Sequence, residues 1–214
     1  MSCKYRKRLM NHPPDPVRRK MILGIAALPL PGIARAAMRT PGGSEGPFYP
    51  TVGMRFNDVD NDLVKIRGQV EQAGGEVVRI KGRVLDPNGK AVAAAQVEIW
   101  QCDVKGRYLH RSDHGWSSRD KAFQGFGVDT TNSEGEFSFR TIKPVPYSGR
   151  TPHIHLKILQ GGQALLTTQL YLPDHPNNAN DWLYQRIPEN QRELVTMFFD
   201  NNAQEPLAEM NLVI

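Results

Sequence analysis

The chain has 214 residues, 39% of them hydrophobic, with 27 Lys and Arg against 22 Asp and Glu, a formal net charge of +5. Eight of those basic residues but only one acid, Asp15, fall in residues 1–36, which leaves 19 basic and 21 acidic residues from Ala37 onward, a net of −2. The basic excess belongs to the leader, so nucleic acid or an anionic membrane, the partners a high pI would suggest, is excluded for the rest of the chain.

The leader has the parts of an export signal. A basic region ends in Val17-Arg18-Arg19-Lys20, and the apolar run Met21-Ile22-Leu23-Gly24-Ile25-Ala26-Ala27-Leu28 follows. Ala34-Arg35-Ala36 then stands before Ala37 as an A-x-A cleavage site. Adjacent arginines before a modest apolar run fit the twin-arginine route, which places the protein outside the cytoplasm. The apolar run, about fourteen residues interrupted by Pro29 and Pro31, is too short to span a bilayer. Cys3 leaves with this leader, and Cys102 alone forms no intrachain disulfide. Cys102 sits in an apolar run and reads as a buried, inert thiol.

The remaining 178 residues suffice for one domain with its own core. Residues 37–62 form an N-terminal arm, and 63–214 the domain itself. Strand-like runs recur at 63–70, 77–85, 92–101, 136–142, 153–159 and 165–172. Gly74-Gly75, Asp86-Pro87-Asn88-Gly89 and Asn132-Ser133-Glu134-Gly135 punctuate them as turns. Short strands at this spacing predict an all-β, antiparallel two-sheet sandwich. Helical spacing appears in 188–199, through Leu194, Met197 and Phe198, which predicts one short C-terminal helical segment.

The chemistry concentrates in the second half of the strand pattern. His153 and His155 flank Ile154 in a strand-like run, so both imidazoles lie on one face. Imidazole suits iron, copper, zinc and nickel. Two phenols converging on that pair would favour a hard trivalent ion, because phenolate is a hard anionic donor. Nearby cysteine is absent from the sequence, so a thiolate zinc site is disfavoured.

Several motifs follow one another in a familiar order: Glu45-Gly46-Pro47-Phe48-Tyr49-Pro50, Glu98-Ile99-Trp100-Gln101, Gly106-Arg107-Tyr108, Lys143-Pro144 leading to Tyr147, Arg150-Thr151-Pro152-His153-Ile154-His155, and Gln169. Over residues 44–172 the chain resembles the intradiol ring-cleavage dioxygenases, non-haem ferric enzymes that open catechols between their two hydroxyls. It resembles the protocatechuate dioxygenase branch most, as a short form without the helical N-terminal segment of catechol and hydroxyquinol dioxygenases.

The resemblance implies a β-sandwich core and an Fe(III) ion held by Tyr108, Tyr147, His153 and His155. Two phenolates and two neutral imidazoles would leave one net positive charge on that ion, which a bound hydroxide cancels. It also implies roles. Tyr147 is the ligand that leaves and takes a substrate proton, and Tyr108 stays. Arg150 lies beside the substrate ring, where a fixed cation stabilises developing negative charge. Gln169 orients that arginine and the substrate, and Tyr49 lines the substrate pocket. The implied substrates are a catechol or hydroxyquinol and dioxygen, with a cis,cis-muconate-type product. The arm motif and the iron ligands stand in one polypeptide, which fits a homo-oligomer or a monomer.

Only five residues separate Tyr147 from His153, fewer than in many members of that family. Two other readings use the same residues. A secreted prealbumin-like binding module would need the strands and turns of 82–97 and 133–137 but no Tyr and His cluster. A different metal enzyme would hold zinc or copper on His153 and His155. The spacing Gly-x-Ser-x-Gly occurs at Gly42-Gly43-Ser44-Glu45-Gly46, but in the arm and not between a strand-like run and a helix, so no nucleophile elbow is present and nucleophilic hydrolysis has little support.

Overall fold

A computed structural model describes residues 37–214; the export signal expected in 1–36 lies outside the described residues. Alternation dictates the first strand, β1 (Val77–Leu85): Val78, Ile80 and Val84 are buried while Arg79, Lys81 and Arg83 face solvent. The further strands are β2 (Gln96–Trp100), β3 (Phe126–Thr130), β4 (Glu136–Ile142), β5 (His153–Gln160), β6 (Gln163–Tyr171), β7 (Phe199–Asp200) and β8 (Leu207–Val213). They form two four-stranded sheets, in the orders β4-β1-β8-β7 and β3-β2-β5-β6. The expected two-sheet sandwich is therefore present, and every ladder is antiparallel except β1 with β8, which is parallel.

Between the sheets lies an aliphatic and phenylalanine core, including Ile80, Val97, Ile99, Phe139, Leu156, Leu170 and Leu212. β5 contributes Ile154, Leu156 and Ile158 to it, so His153, His155 and Lys157 necessarily point to the other face of the second sheet. That outer face is covered too, which is why both histidines are buried. A second, smaller cluster of Trp100, Cys102, Tyr108 and Phe126 packs there with Phe48, Tyr49, Val145 and Tyr147.

The N-terminal arm reaches this face by running along strand edges. Thr40 N–H donates to Val213 O at 2.9 Å and Gly43 N–H to Thr167 O at 2.7 Å, so the arm ties the edge of β6 to β8. Covering β6 removes an open strand edge.

The boundaries show where local pattern was overruled. Residues 63–70 form no strand: Asp60 and Asp62 take the N–H groups of Asp62 and Val64 in tight turns, and Leu63 and Val64 are apolar because they plug the core. β3 was hidden by Gly127, where a Cβ would stand 2.4 Å from Leu63 Cδ1. β8 was hidden by its polar outer face, Glu209 and Asn211. The run 92–101 shortens at its start, where Ala94 has a φ of 55°. The C-terminal helical segment is a 3-10 helix, Glu189–Val195, preceded by one α-helical turn, α1 (Trp182–Gln185). Among the described residues no helix is long and apolar enough to cross a membrane.

Candidate metal centre

The ladder between β2 and β5 pairs Trp100 with His155, and that between β5 and β6 pairs His155 with Gln169 and His153 with Tyr171. Opposed residues of an antiparallel pair share a face. Trp100, both histidines, Gln169 and Tyr171 therefore form a patch on the outer face of the second sheet. Trp100 stacks on His155 with ring centroids 4.7 Å apart and planes 11° apart, which fixes the imidazole plane.

His153 Nδ1–H donates to the Thr151 carbonyl at 2.7 Å, so its Nε2 carries the free lone pair. That Nε2 lies 3.2 Å from Nε2 of His155. Burial, followed by the Arg150 cation, lowers His153 to about 4; burial, followed by His153 and Arg150, lowers His155 well below the usual value. Both are neutral imidazoles at physiological pH, the form that binds a cation.

The two phenols come from loops. Asp103 Oδ1 accepts Lys105 N–H and Arg107 N–H, and Asp113 Oδ2 accepts Tyr108 N–H at 2.8 Å, so two buried carboxylates shape the loop that carries Tyr108. Gly106 has a φ of 71°, and a Cβ there would stand 3.3 Å from Cβ of Tyr147. The glycine lets the Tyr108 loop and the Tyr147 loop approach closely. Tyr147 opens a tight turn in which Ser148 and Gly149 have φ of 43° and 77° and Arg150 N–H returns to Tyr147 O at 2.7 Å. Positive φ at both central residues is the type I′ pattern, and the reversal it makes lets Tyr147 and His153 face each other across a five-residue link.

Tyr108 and Tyr147 meet edge to face, with centroids 4.9 Å apart; Tyr108 lies 6.1 Å from His155 and Tyr147 5.5 Å from His153. Burial raises both phenols, Tyr108 most strongly, with Arg150 opposing the rise in each. Tyr108 Oη is buried without a hydrogen-bond partner, as are His155 Nδ1 and Trp100 Nε1. A phenol oxygen stranded in this way costs about 1–3 kcal/mol, a cost that a bound cation offsets. The donor set of two phenols and two neutral imidazoles fits a hard cation. Among the described residues no group of three or more His, Cys, Asp or Glu could hold a metal, so any metal bound here depends on the tyrosines.

Arg150 and Gln169 join the same cluster: Nη2 of Arg150 donates to Gln169 Oε1 at 2.7 Å, and Gln169 Nε2 donates to Ser44 O at 2.8 Å. Tyr49 is placed differently. Its hydroxyl donates to Glu98 at 2.6 Å, and its ring stands edge-on to Trp100, on which His155 stacks. Phe48 is the arm residue that stacks on Tyr108, at 4.9 Å. Gly46 explains the start of that motif: its φ is 72°, and a Cβ would come within 3.2 Å of His155 Cε1. Cys102 is buried and its thiol is pushed up to about 12, chiefly by desolvation, as an inert thiol requires.

Sequence reasoning missed Asp181 and Tyr171. Tyr171 was within reach, since it stands two residues past Gln169 on one strand. Asp181 offered a weaker signal, an N-cap residue before Trp182. A cavity of about 300 Å³, lined by Pro41, Ser44, Gln169, Tyr171, Leu183 and Arg186 among others, borders the same network. A larger groove runs along β1, β4 and β8 to the end of β3, away from these rings.

Comparison with known proteins bears on the family and the fold. A dioxygenase family model matches residues 44–213. The chain is 35% identical over 168 residues to the protocatechuate 3,4-dioxygenase beta chain of Burkholderia cepacia, covering 74% of this chain and 72% of that one. It is 32% identical over 123 residues to catechol 1,2-dioxygenase of Candida albicans, spanning 49% of this chain and 39% of that one. Among solved structures it is similar to the dioxygenase domain of a carbohydrate-binding fusion protein from Streptomyces sp. SirexAA-E, with a TM-score of 0.62, 27% identity, and coverage of 83% and 98%. The motif order, the sandwich and these matches together place the chain in the intradiol ring-cleavage dioxygenase family.

Proposed function

We propose that this protein is a ferric, non-haem dioxygenase that opens a catechol-type ring between its two hydroxyls, with dioxygen as co-substrate and a cis,cis-muconate-type product. The observation that carries the reading is the meeting of two phenols and two neutral imidazoles on one covered sheet face, with Tyr108 Oη buried and unpartnered. Tyr108, Tyr147, His153 and His155 would hold the ion, and bound iron would supply Lewis acidity and a template for substrate and dioxygen.

The residues divide the remaining tasks by burial and charge. Tyr108 is fully enclosed and fixed through Asp113, which suits a ligand that stays. Tyr147 is half-buried on a turn, which suits a phenolate that releases its place and takes a proton from a substrate hydroxyl. Arg150 lowers both phenols, and its side chain is 15% exposed, so a cation faces the space where the substrate ring becomes anionic. Gln169 holds that arginine from below. Trp100 keeps His155 in plane, and Phe48 closes the site over Tyr108. Tyr49, tied to Glu98, acts by packing the arm rather than by its hydroxyl.

An absorption spectrum of the purified, iron-supplemented protein, before and after anaerobic catechol, tests this. A broad visible band that moves to longer wavelength with catechol is the expected result. A colourless, iron-free protein unchanged by catechol would sink it. Family membership disfavours the prealbumin-like alternative, and metal analysis of the same sample separates iron from zinc or copper. Export through the twin-arginine route is proposed on residues 1–36 alone, and a mature N-terminus at Ala37 in the exported fraction is its check.

A further inference from the structure

Arg150 does not stand free beside the site. Its Nε–H donates to Asp181 Oδ2 at 2.7 Å, and its Nη2 donates to Gln169 Oε1 at 2.7 Å. Nε and Nη2 of the guanidinium are thereby engaged, and the Nη1 group is left over. The carboxylate that takes Nε is itself immobile. Its side chain is 0% exposed. Oδ2 also accepts Thr151 N–H at 2.8 Å, while Oδ1 accepts the N–H groups of Leu183 at 3.0 Å and Tyr184 at 3.1 Å. Four donors surround one carboxylate, and none of its oxygens is free for substrate or metal.

Thr151 adds a second path. Its N–H is held by Asp181, its carbonyl receives Nδ1–H of His153 at 2.7 Å, and its hydroxyl donates to Asn178 Oδ1 at 2.5 Å. The dipeptide Arg150-Thr151 is thus clamped from the C-terminal segment on both sides of the peptide bond, directly after the turn that carries Tyr147. A two-point hold on the guanidinium by Asp181 and Gln169 fixes its plane, where a single hydrogen bond would leave it free to rotate.

We propose that Asp181 is a positioning residue of the dioxygenase reaction. It holds Arg150 so that the remaining Nη1 edge meets the anionic substrate ring, and it steadies the Thr151 backbone that sets the tautomer of His153. The role rests on the proposed function, since it has meaning only if Arg150 faces a substrate. Asp181 touches neither, and acts through Arg150 and Thr151.

The test compares Asp181→Asn and Asp181→Ser with Arg150→Lys and with the double variant Asp181→Asn/Arg150→Lys, all in the iron-loaded full chain with catechol. Asn and Ser both serve as helix N-caps, so α1 keeps its start while the carboxylate charge beside Arg150 is lost. The expected result is a fall in kcat of about 10–100-fold in Asp181→Asn, the size typical of an outer partner at a metal site. Iron content and the visible band should be retained, and KM should move by less than about threefold, as when an interaction made only in the transition state is removed. The double variant should be no worse than Arg150→Lys alone within about threefold, because the two changes remove one interaction.

Losses that multiply in the double variant, or a kcat unchanged in Asp181→Asn while only thermal stability falls, would overturn the role. A readout independent of iron and catechol comes from the Arg150 Nε–H proton resonance of the metal-free protein. Slow exchange in the wild type and loss of that protection in both single variants at Asp181 are expected, and a wild-type proton that exchanges freely would also overturn the proposal. A wild-type protein that turns over no catechol defeats the enzyme reading itself, and that control tells the two failures apart.

Discussion

The two faces of the second sheet are built from the same strands and obey opposite rules. Inward, Ile99, Ile154, Leu156, Ile158 and Leu170 pack into one cluster of apolar side chains. Outward, Trp100, His153, His155 and Gln169 leave the same strands and meet loop tyrosines, an arginine and a half-buried phenylalanine. The inner face has satisfied its chemistry by burial. The outer face keeps Tyr108 Oη, His155 Nδ1 and Trp100 Nε1 buried and unpartnered. Of these three atoms only Tyr108 Oη is an oxygen that a cation could take; the other two are ring nitrogens turned away from the pair of Nε2 atoms or bearing a hydrogen.

Substitutions on the two faces should therefore separate stability from function. The largest effect is expected for Tyr108→Phe: turnover falls by more than about a hundredfold and the visible band is lost. The metal-free protein should be as stable as wild type, or more stable by up to about 1 kcal/mol, because a stranded hydroxyl is gone. Iron analysis, kcat and a denaturant titration of the metal-free form check both halves. Unaltered colour would remove Tyr108 from the donor set.

On the inner face, Leu156→Ala should cost about 2–5 kcal/mol by leaving a cavity, while the molecules that stay folded keep the visible band. Chemical unfolding of the metal-free form, paired with a spectrum at low temperature, measures this. Loss of the band at full folding would mean that the two faces are coupled through β5.

Gly106→Ala probes the seam between the loops. An alanine at a φ of 71°, with its Cβ 3.3 Å from that of Tyr147, should cost about 1–2 kcal/mol and shift the visible band, because Tyr147 must move. A thermal melt together with the spectrum is the measurement, and an unmoved band would show that the glycine serves the turn alone.

Tyr49→Phe should have the smallest effect. It removes one 2.6 Å hydrogen bond from the buried Glu98, which Gln96 still donates to at 2.7 Å, for a loss of about 1 kcal/mol. Turnover should stay within about twofold of wild type. A larger rise in KM than loss of stability would return Tyr49 to the substrate pocket.

Acid provides a further comparison. Burial would raise the carboxyl of Asp181, but its bonds from Arg150, Thr151 and Tyr184 outweigh that and hold it below the ordinary 3.8. A depressed carboxyl contributes fully above its unfolded value and is lost as pH falls through the folded one. The stability gap between wild type and Asp181→Asn should stay flat above about pH 5 and close below about pH 4, as urea midpoints at several pH values will show.

Much of this was legible before any coordinates. Val78, Ile80 and Val84 alternate with charged residues, so β1 announces itself, and the sandwich follows from several such runs with turns between them. His-x-His shares a face by the same alternation. What stayed hidden had physical reasons. Gly127 makes room for Leu63 and so carries no strand signal, and Leu63 and Val64 mimic a strand because they are core residues held in turns. Tyr49 and Phe48 are adjacent aromatics, and only packing decides which ring meets Tyr108 and which hydroxyl turns to Glu98.

By itself the sequence determined the strand faces, the shared face of His153 and His155, and the chemical types available to meet them. These follow from side-chain alternation along an extended backbone, which is local covalent geometry. Only the tertiary structure decided that the loop of Tyr108, the turn of Tyr147 and the carboxylate of Asp181, 31 residues beyond Arg150, close on one patch. Such meetings depend on loop conformations and on the packing of distant segments, and no residue-by-residue period encodes them.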